Sequence, residues 1–199
     1  MKVVIVGRTR MSGSARCIGG LAEDGTSLRL MLKSGQWDDT SPLHIGSVWD
    51  LHFEKHPHIL PPHVEDVIVS KGEKVGEIEN LRDFIVANAS VWRGGIDAIF
   101  DGKLGFTGAG NGYVNELRGS PAVSTGFWIP DRDLTLRTDG KHYDYPRFWQ
   151  KRGLSYVGEP AAANSIRAGT LVRVSLARWW KPEDVDIEVR CYAQLSGWY

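Results

Sequence analysis

One short pattern occurs twice, and it constrains the fold more than anything else in the chain. Residues 46–53 read Gly-Ser-Val-Trp-Asp-Leu-His-Phe, and residues 169–176 read Gly-Thr-Leu-Val-Arg-Val-Ser-Leu. Each opens on a glycine and a small hydroxyl residue, then carries apolar residues in near alternation, as a strand entered through a tight turn does. Each is followed by a proline-bearing loop and an acidic-then-apolar run: Pro62-His63-Val64-Glu65-Asp66-Val67 in the first case, Pro182-Glu183-Asp184-Val185 in the second. This is a two-strand module used twice, so the chain should hold two copies of one small β-barrel.

The flanking sequence supplies the other strands. Residues 2–10 are rich in β-branched side chains, and residues 14–22 and 27–33 flank Asp24-Gly25, a strong hairpin turn. In the second arm Leu28, Leu30 and Leu32 share one face while Arg29 and Met31 take the other. With strands at 46–54 and 64–70 this makes a five-stranded Greek-key barrel of the oligonucleotide/oligosaccharide-binding (OB) type. The second half repeats the scheme: strands at 124–129, 133–138 and 141–145, a short helix or turn at 146–152, then strands at 154–158, 169–178 and 185–195. Between the halves the pattern predicts a helix over 79–90, capped by Asn80, and a glycine-rich crossing over 102–119. The fold class is therefore mainly β: two OB-like five-stranded Greek-key barrels packed as one unit, with a short connecting helix near 80–90. Residues 1–78 form the first barrel, 79–122 the helix and connector, and 123–199 the second barrel. The aromatic end, Trp198-Tyr199, should pack back onto it.

Composition bounds the function. The 24 basic and 24 acidic residues cancel, which argues against coating nucleic acid by charge alone but leaves room for a local basic groove. No apolar run approaches the ~20 residues of a membrane span. The N-terminal apolar run falls short of the about 7–15 residues of a signal-peptide core, so it reads as a first strand and the protein is placed in the cytoplasm. Cys17 and Cys191 stand alone and read as buried thiols.

Several short motifs resemble the dual OB-containing domain family of bacteria and archaea: Thr9-Arg10-Met11, Arg16-Cys17-Ile18-Gly19-Gly20, Leu28-Arg29-Leu30, and Arg190-Cys191-Tyr192-Ala193-Gln194-Leu195-Ser196-Gly197-Trp198-Tyr199. The resemblance covers essentially the whole chain. It implies two barrels packed together, nucleic-acid contact, and an accessory role in mobile-element or antiviral defence settings. It supplies no catalytic residues.

The candidate binding residues follow from strand faces. Arg8, Arg10, Arg16 and Arg29 lie within residues 1–33, where six basic residues stand against Glu23 and Asp24, and Trp37 sits just past the third strand where it could stack a base. Truncating Trp37 in such a site should cost about ten-fold in affinity. In the second barrel Arg132, Arg137, Tyr143, Arg147, Trp149, Lys151, Arg152 and Trp179 interleave base and aromatic, the pattern of a nucleic-acid surface. The competing reading puts Trp128, Phe148 and Trp149 in the interface between barrels. Five of the six histidines lie between 44 and 63, and His56, His58 and His63 are the residues that a metal would require to converge. No cofactor is expected. Val3-Val4-Ile5-Val6-Gly7 lacks the glycines of a dinucleotide fingerprint, and no Walker loop or nucleophile elbow is present. A Cys17 or Cys191 dyad with His142 can be drawn, but a cysteine on an apolar strand is ordinarily core. The expectation is a non-enzymatic accessory module that binds nucleic acid, a single strand of DNA or RNA. The alternatives are a protein-protein adaptor in a larger nucleoprotein or defence complex, and a metal-dependent hydrolase built on the histidine loop.

Overall fold

The computed structural model describes residues 1–147 and 150–199. The first sheet holds β1 (Lys2–Arg10), β2 (Ala15–Ala22), β3 (Ser27–Met31), the two-residue β4 (Trp37–Asp38), β5 (Ser47–Lys55) and β6 (Asp66–Glu77). Its order is β1-β5-β6-β3-β2, and the β1–β2 pairing closes it into a five-stranded barrel with β4 on its rim. One pairing, β3 with β6, is parallel. Leu28 and Leu30 of β3 point into the core with Val3, Ile5, Ile18, Leu51 and Val67, while Arg29 and Met31 face outward.

The connector is α1 (Leu81–Asn88), β7 (Val91–Gly94), a 3-10 segment, β8 (Gly105–Phe106) and β9 (Gly112–Asn115). Asn80 caps α1, its side chain accepting the Asp83 N–H at 3.1 Å. The glycine-rich crossing joins the second sheet instead of hanging free: β7 runs parallel to β10 (Thr125–Pro130), and β9 pairs with β16 (Arg190–Trp198).

The second sheet continues with β11 (Leu134–Leu136), β12 (His142–Asp144), β13 (Gly153–Tyr156), β14 (Ser165–Ile166) and β15 (Val172–Leu176). Its central path runs β11-β12-β13-β16-β15-β10. β10 and β11 are successive segments of chain, bent apart at Asp131–Asp133, so the sheet is curled where the first is closed. Taken as two halves of one bent strand, they give the strand order of the first barrel. Within that path one pairing, β13 with β16, is parallel, as β3 with β6 is in the first sheet. The architecture is mainly β, two barrel-like OB units with a short helix between them.

The repeated module occupies the same place in both halves. Gly46 and Gly169 adopt φ of 91° and 82° just before β5 and β15. Each donates its N–H to the first strand of its own unit, Gly46 to Ile5 O and Gly169 to Pro130 O, both at 2.9 Å. The following hydroxyl residues match as well, Ser47 N–H bonding His44 O and Thr170 N–H bonding Arg167 O. The second acidic run departs from the pattern. Residues 185–195 were expected as a strand, yet the strand is Arg190–Trp198. Val185 and Val189 are 48% and 42% exposed, so the alternation there has no core to pack on.

Between the units lies a third apolar cluster: Val4, Val6 and Leu21 from the first, Ile85 from α1, and Phe127 and Leu171 from the second. This explains the unbroken apolar run of β1, which buries Val3 and Ile5 in its own core and Val4 and Val6 against the other unit. Tyr199 packs back here, 6.2 Å from Phe127 between ring centroids, and its hydroxyl donates to Val6 O.

The paired glycines give a test of the duplication. Each needs a left-handed backbone, and a Cβ at either would meet nothing closer than 3.8 Å, so strain alone sets the cost. Gly46→Ala and Gly169→Ala should each lose about 1–2 kcal/mol in urea denaturation. A loss at only one of them would show that the two turns are not equivalent.

Candidate nucleic-acid interface

The β1–β2 hairpin brings Arg10 and Arg16 opposite each other. Like charges in that register repel, and they are resolved differently. Arg16 Nε lies 3.2 Å from Glu159 Oε1, whereas Arg10 has no carboxylate within 4 Å among the described residues and lies over the Tyr156 ring at 5.7 Å. These two arginines stand at the mouth of a cavity of about 550 Å³ between the units. Arg29, Arg173 and Arg178 also line it, together with Trp37, Met11 and Met31, and none of its described lining residues is acidic. A second cavity of about 550 Å³ shares Arg10 and Val157 with the first and reaches Lys141 and His142.

Arg173 is the least expected member. It leaves β15 toward the first barrel, and its guanidinium lies over Gly7 and Gly19, which face each other in the β1–β2 pair. A Cβ at Gly19 would stand 2.4 Å from Arg173 Nη2, and one at Gly7 3.0 Å from the same group. Only glycine leaves that slot open. Arg173 is 7% exposed, donates from Nη1 to Ser196 Oγ at 2.9 Å, and has no carboxylate within 4 Å among the described residues. Burial pulls its pKa below the usual arginine value.

Arg29 and Arg178 are anchored behind it. The parallel register sets Arg29 beside Asp66, with Nη1 3.5 Å from Oδ1, while Arg178 Nη2 meets Asp66 Oδ2 at 2.6 Å. Arg29 Nη2 also contacts Ser124 Oγ and His63 Nδ1, each at 3.2 Å. Glu65 receives the N–H and hydroxyl of Ser124 and the N–H of Thr125, so the first unit holds the start of β10.

His63 is fully buried here, and burial, with Arg29 and Arg178 nearby, holds its pKa down to about 3. An arginine can only donate, so Nδ1 accepts and the neutral ring carries its proton on Nε2, 3.7 Å from Cys191 Sγ. Burial pushes the Cys191 thiol up to about 12. The histidine therefore faces a protonated thiol with a donor, the wrong polarity for drawing off its proton. His142, the partner in the dyad that can be drawn from sequence, bonds Asp139 at 2.7 Å. Cys17 is half-buried and lines the first cavity, against the expectation of two buried thiols. His56 and His58 lie together on the loop, 6.0 Å between ring centroids, and are not gathered with the buried His63.

The remaining predicted residues divide. Arg8 is 2% exposed and serves the fold, bonding the carbonyls of Ser41 and Leu43 and lying 2.9 Å from Glu159. Trp37 is half-buried, donating to Leu30 O at 2.8 Å with part of its ring on the first core. Tyr143 is a core residue, 1% exposed, with its hydroxyl on Ala163 O, so it offers no face to a base. Arg137 is taken by Asp144 and Asn111. Arg147 and Arg152 both pair with Asp97, and Arg132 joins Asp97 and Arg147 around a separate cavity of about 280 Å³. Lys151 is exposed. Trp179 donates to Pro61 O at 2.8 Å, pinning one unit's loop to the other's. Trp128 lies in the second core and bonds Gly94 O. Trp149, Phe148 and part of the turn expected at 146–152 lie outside the described residues. Sequence reading missed Arg173 and Arg178, although a lone charge inside Leu171-Val172-Arg173-Val174 is itself a signal.

Two OB units joined around a basic cavity define the class. Residues 1–198 match the family described as dual OB-containing domain, and the chain belongs to that family. No curated protein and no solved structure matches it.

The buried imidazole makes stability depend on pH. The unfolded ring takes up a proton near 6.5 and the folded one only near 3, so between those values the unfolded state binds more protons. Stability therefore rises with pH across that window and is lost as pH falls through it, by up to about 1.4 kcal/mol per unit from this group. The stability advantage of the wild type over His63→Gln should shrink between pH 6.5 and 4 in urea titrations. An advantage that holds constant would mean the ring is not buried neutral.

Proposed function

We propose that the protein is a non-enzymatic module that binds single-stranded nucleic acid in the cavity between its two units. The observation that carries this reading is the set of five arginines around one cavity without an acidic lining residue, in a chain of zero net charge. Arg10 supplies an exposed cation with no carboxylate partner among the described residues, Trp37 a partly open indole, and the adjoining cavity a further cation, Lys141. Phosphates on arginine with bases on aromatics is the way OB surfaces hold single strands. No helix among the described residues is long and apolar enough to cross a membrane. An accessory role in a defence or mobile-element system rests on the resemblance drawn from the sequence motifs, and a cytoplasmic place on reading residues 2–10 as a first strand.

A protein partner is the second reading, favoured by one observation. Trp180 is 55% exposed beside Tyr192, next to the exposed Val185 and Val189.

The two readings separate in a fluorescence titration with short single- and double-stranded DNA and RNA at two salt concentrations. Single strands should bind best, with affinity falling on added salt by about 0.7 log unit per log salt for each phosphate neutralised. Arg10→Ala should lower that slope by about one such increment, and Trp37→Ala should weaken binding about ten-fold. Circular dichroism of the tryptophan variant is needed, because its ring also covers the core. No saturable binding below micromolar at low salt would leave the adaptor reading.

A further inference from the structure

Two arginines in this fold are almost completely buried, and they are treated in opposite ways. Arg8 is surrounded by backbone carbonyls and has Glu159 at 2.9 Å, so its charge is answered within the protein. Arg173 has a single described acceptor, the neutral Ser196 hydroxyl. The Glu65 carboxylate acts on Arg173 only from beyond ion-pair distance; a buried guanidinium held that way is costly, and the ligand that relieves it is an anion. Its flat face is committed to the Gly7–Gly19 slot, and the residue lines the cavity between the units.

We infer that Arg173 forms the floor of a subsite for a phosphate monoester, the terminal phosphate of a nucleotide or of a strand end. This deepens the nucleic-acid reading and rests on it for the remainder of the ligand. Two features favour a monoester over a phosphodiester within a strand. A monoester carries nearly two negative charges, which suits a cavity where Arg10, Arg16, Arg29 and Arg178 stand around Arg173. It also has one substituent, so it needs one way out. The second cavity shares Arg10 and Val157 with the first and has Lys141 and His142 in its lining, so that substituent would lie on this side. A volume of about 550 Å³ lies within the range of sites that hold a small ligand.

The test compares ligands that differ only in the phosphate. Inorganic phosphate and adenosine monophosphate should raise the melting temperature of the wild-type protein, and adenosine should not. A short oligothymidylate with a 5′- or a 3′-phosphate should bind about ten-fold more tightly than the same strand with both ends free. Arg173→Gln should abolish both differences. If that variant does not fold, the wild type still decides, because Cys17 lines the same cavity and Cys191 is fully buried. Saturating phosphate should protect Cys17 from alkylation, with Cys191 as the unreactive control, and unprotected Cys17 overturns the subsite. Equal binding of phosphorylated and unphosphorylated strands also overturns it while leaving strand binding intact. Binding of the mononucleotide without any oligonucleotide binding keeps the subsite and overturns the nucleic-acid reading.

Discussion

A guanidinium lies between the two barrels, and the arrangement of both depends on accommodating it. Arg173 leaves the second unit and covers two glycines that face each other in the first. Leaving one charge buried with no carboxylate at ion-pair distance among the described residues costs several kcal/mol. The apolar seam beside it offsets that. Val4, Val6, Leu21, Ile85, Phe127 and Leu171 are all buried there, and each side chain of this size contributes about 1.5–3 kcal/mol when removed from water. Even after allowance for a compact unfolded chain, the seam outweighs the cation. The joint is thus held by apolar burial, and the charge it carries is tolerated.

The polar contacts fix how the units are oriented. Apolar surfaces slide and rotate at small cost, but hydrogen bonds and ion pairs are directional. Glu65 takes three hydrogen bonds from Ser124 and Thr125, and Asp66 is flanked by Arg29 from its own unit and Arg178 from the other. Both acids sit at the entry to β6, where the parallel pairing with β3 sets Arg29 level with Asp66. One register therefore places two carboxylates against the second unit. Arg29 and Arg178 in the cavity wall are held by the same contacts, so they would be in position before a ligand arrived, which would limit the ordering cost of binding.

Much of this was legible in the sequence, and what was not has a physical cause. The two glycine-led strands reported their own equivalence, because turn chemistry is local: a glycine, a hydroxyl and an alternating run specify the same turn wherever they occur. The alternation of Leu28, Arg29 and Leu30 gave the correct faces for the same reason. The site was harder. Arg8 and Arg10 sit two apart on one strand and look alike in sequence, yet the first is enclosed by the loop at 39–43 and the second is open. Tyr143 reads as a stacking residue until the core closes over it. The clue to Arg173 was divided among three places: a charge in the middle of an apolar strand, and Gly7 and Gly19 inside two others. A glycine within a strand marks a close approach, but only the packed fold shows what approaches.

The neutral total charge and the basic cavity are not in conflict; together they set how binding would work. A chain with 24 positive and 24 negative side chains projects little field beyond a Debye length, about 8 Å at physiological salt. A distant polyanion is steered weakly, so encounter depends on ordinary diffusion. Discrimination then falls to contacts made inside the cavity, where water is partly excluded and each arginine acts at short range. Arg173, with only 7% of its surface open, would contribute to that second stage and little to the first. The exposed Arg10 would contribute to both. A fold arranged this way would hold anions by fit at a prepared cation and would be spared the indiscriminate polyanion binding that a basic surface brings.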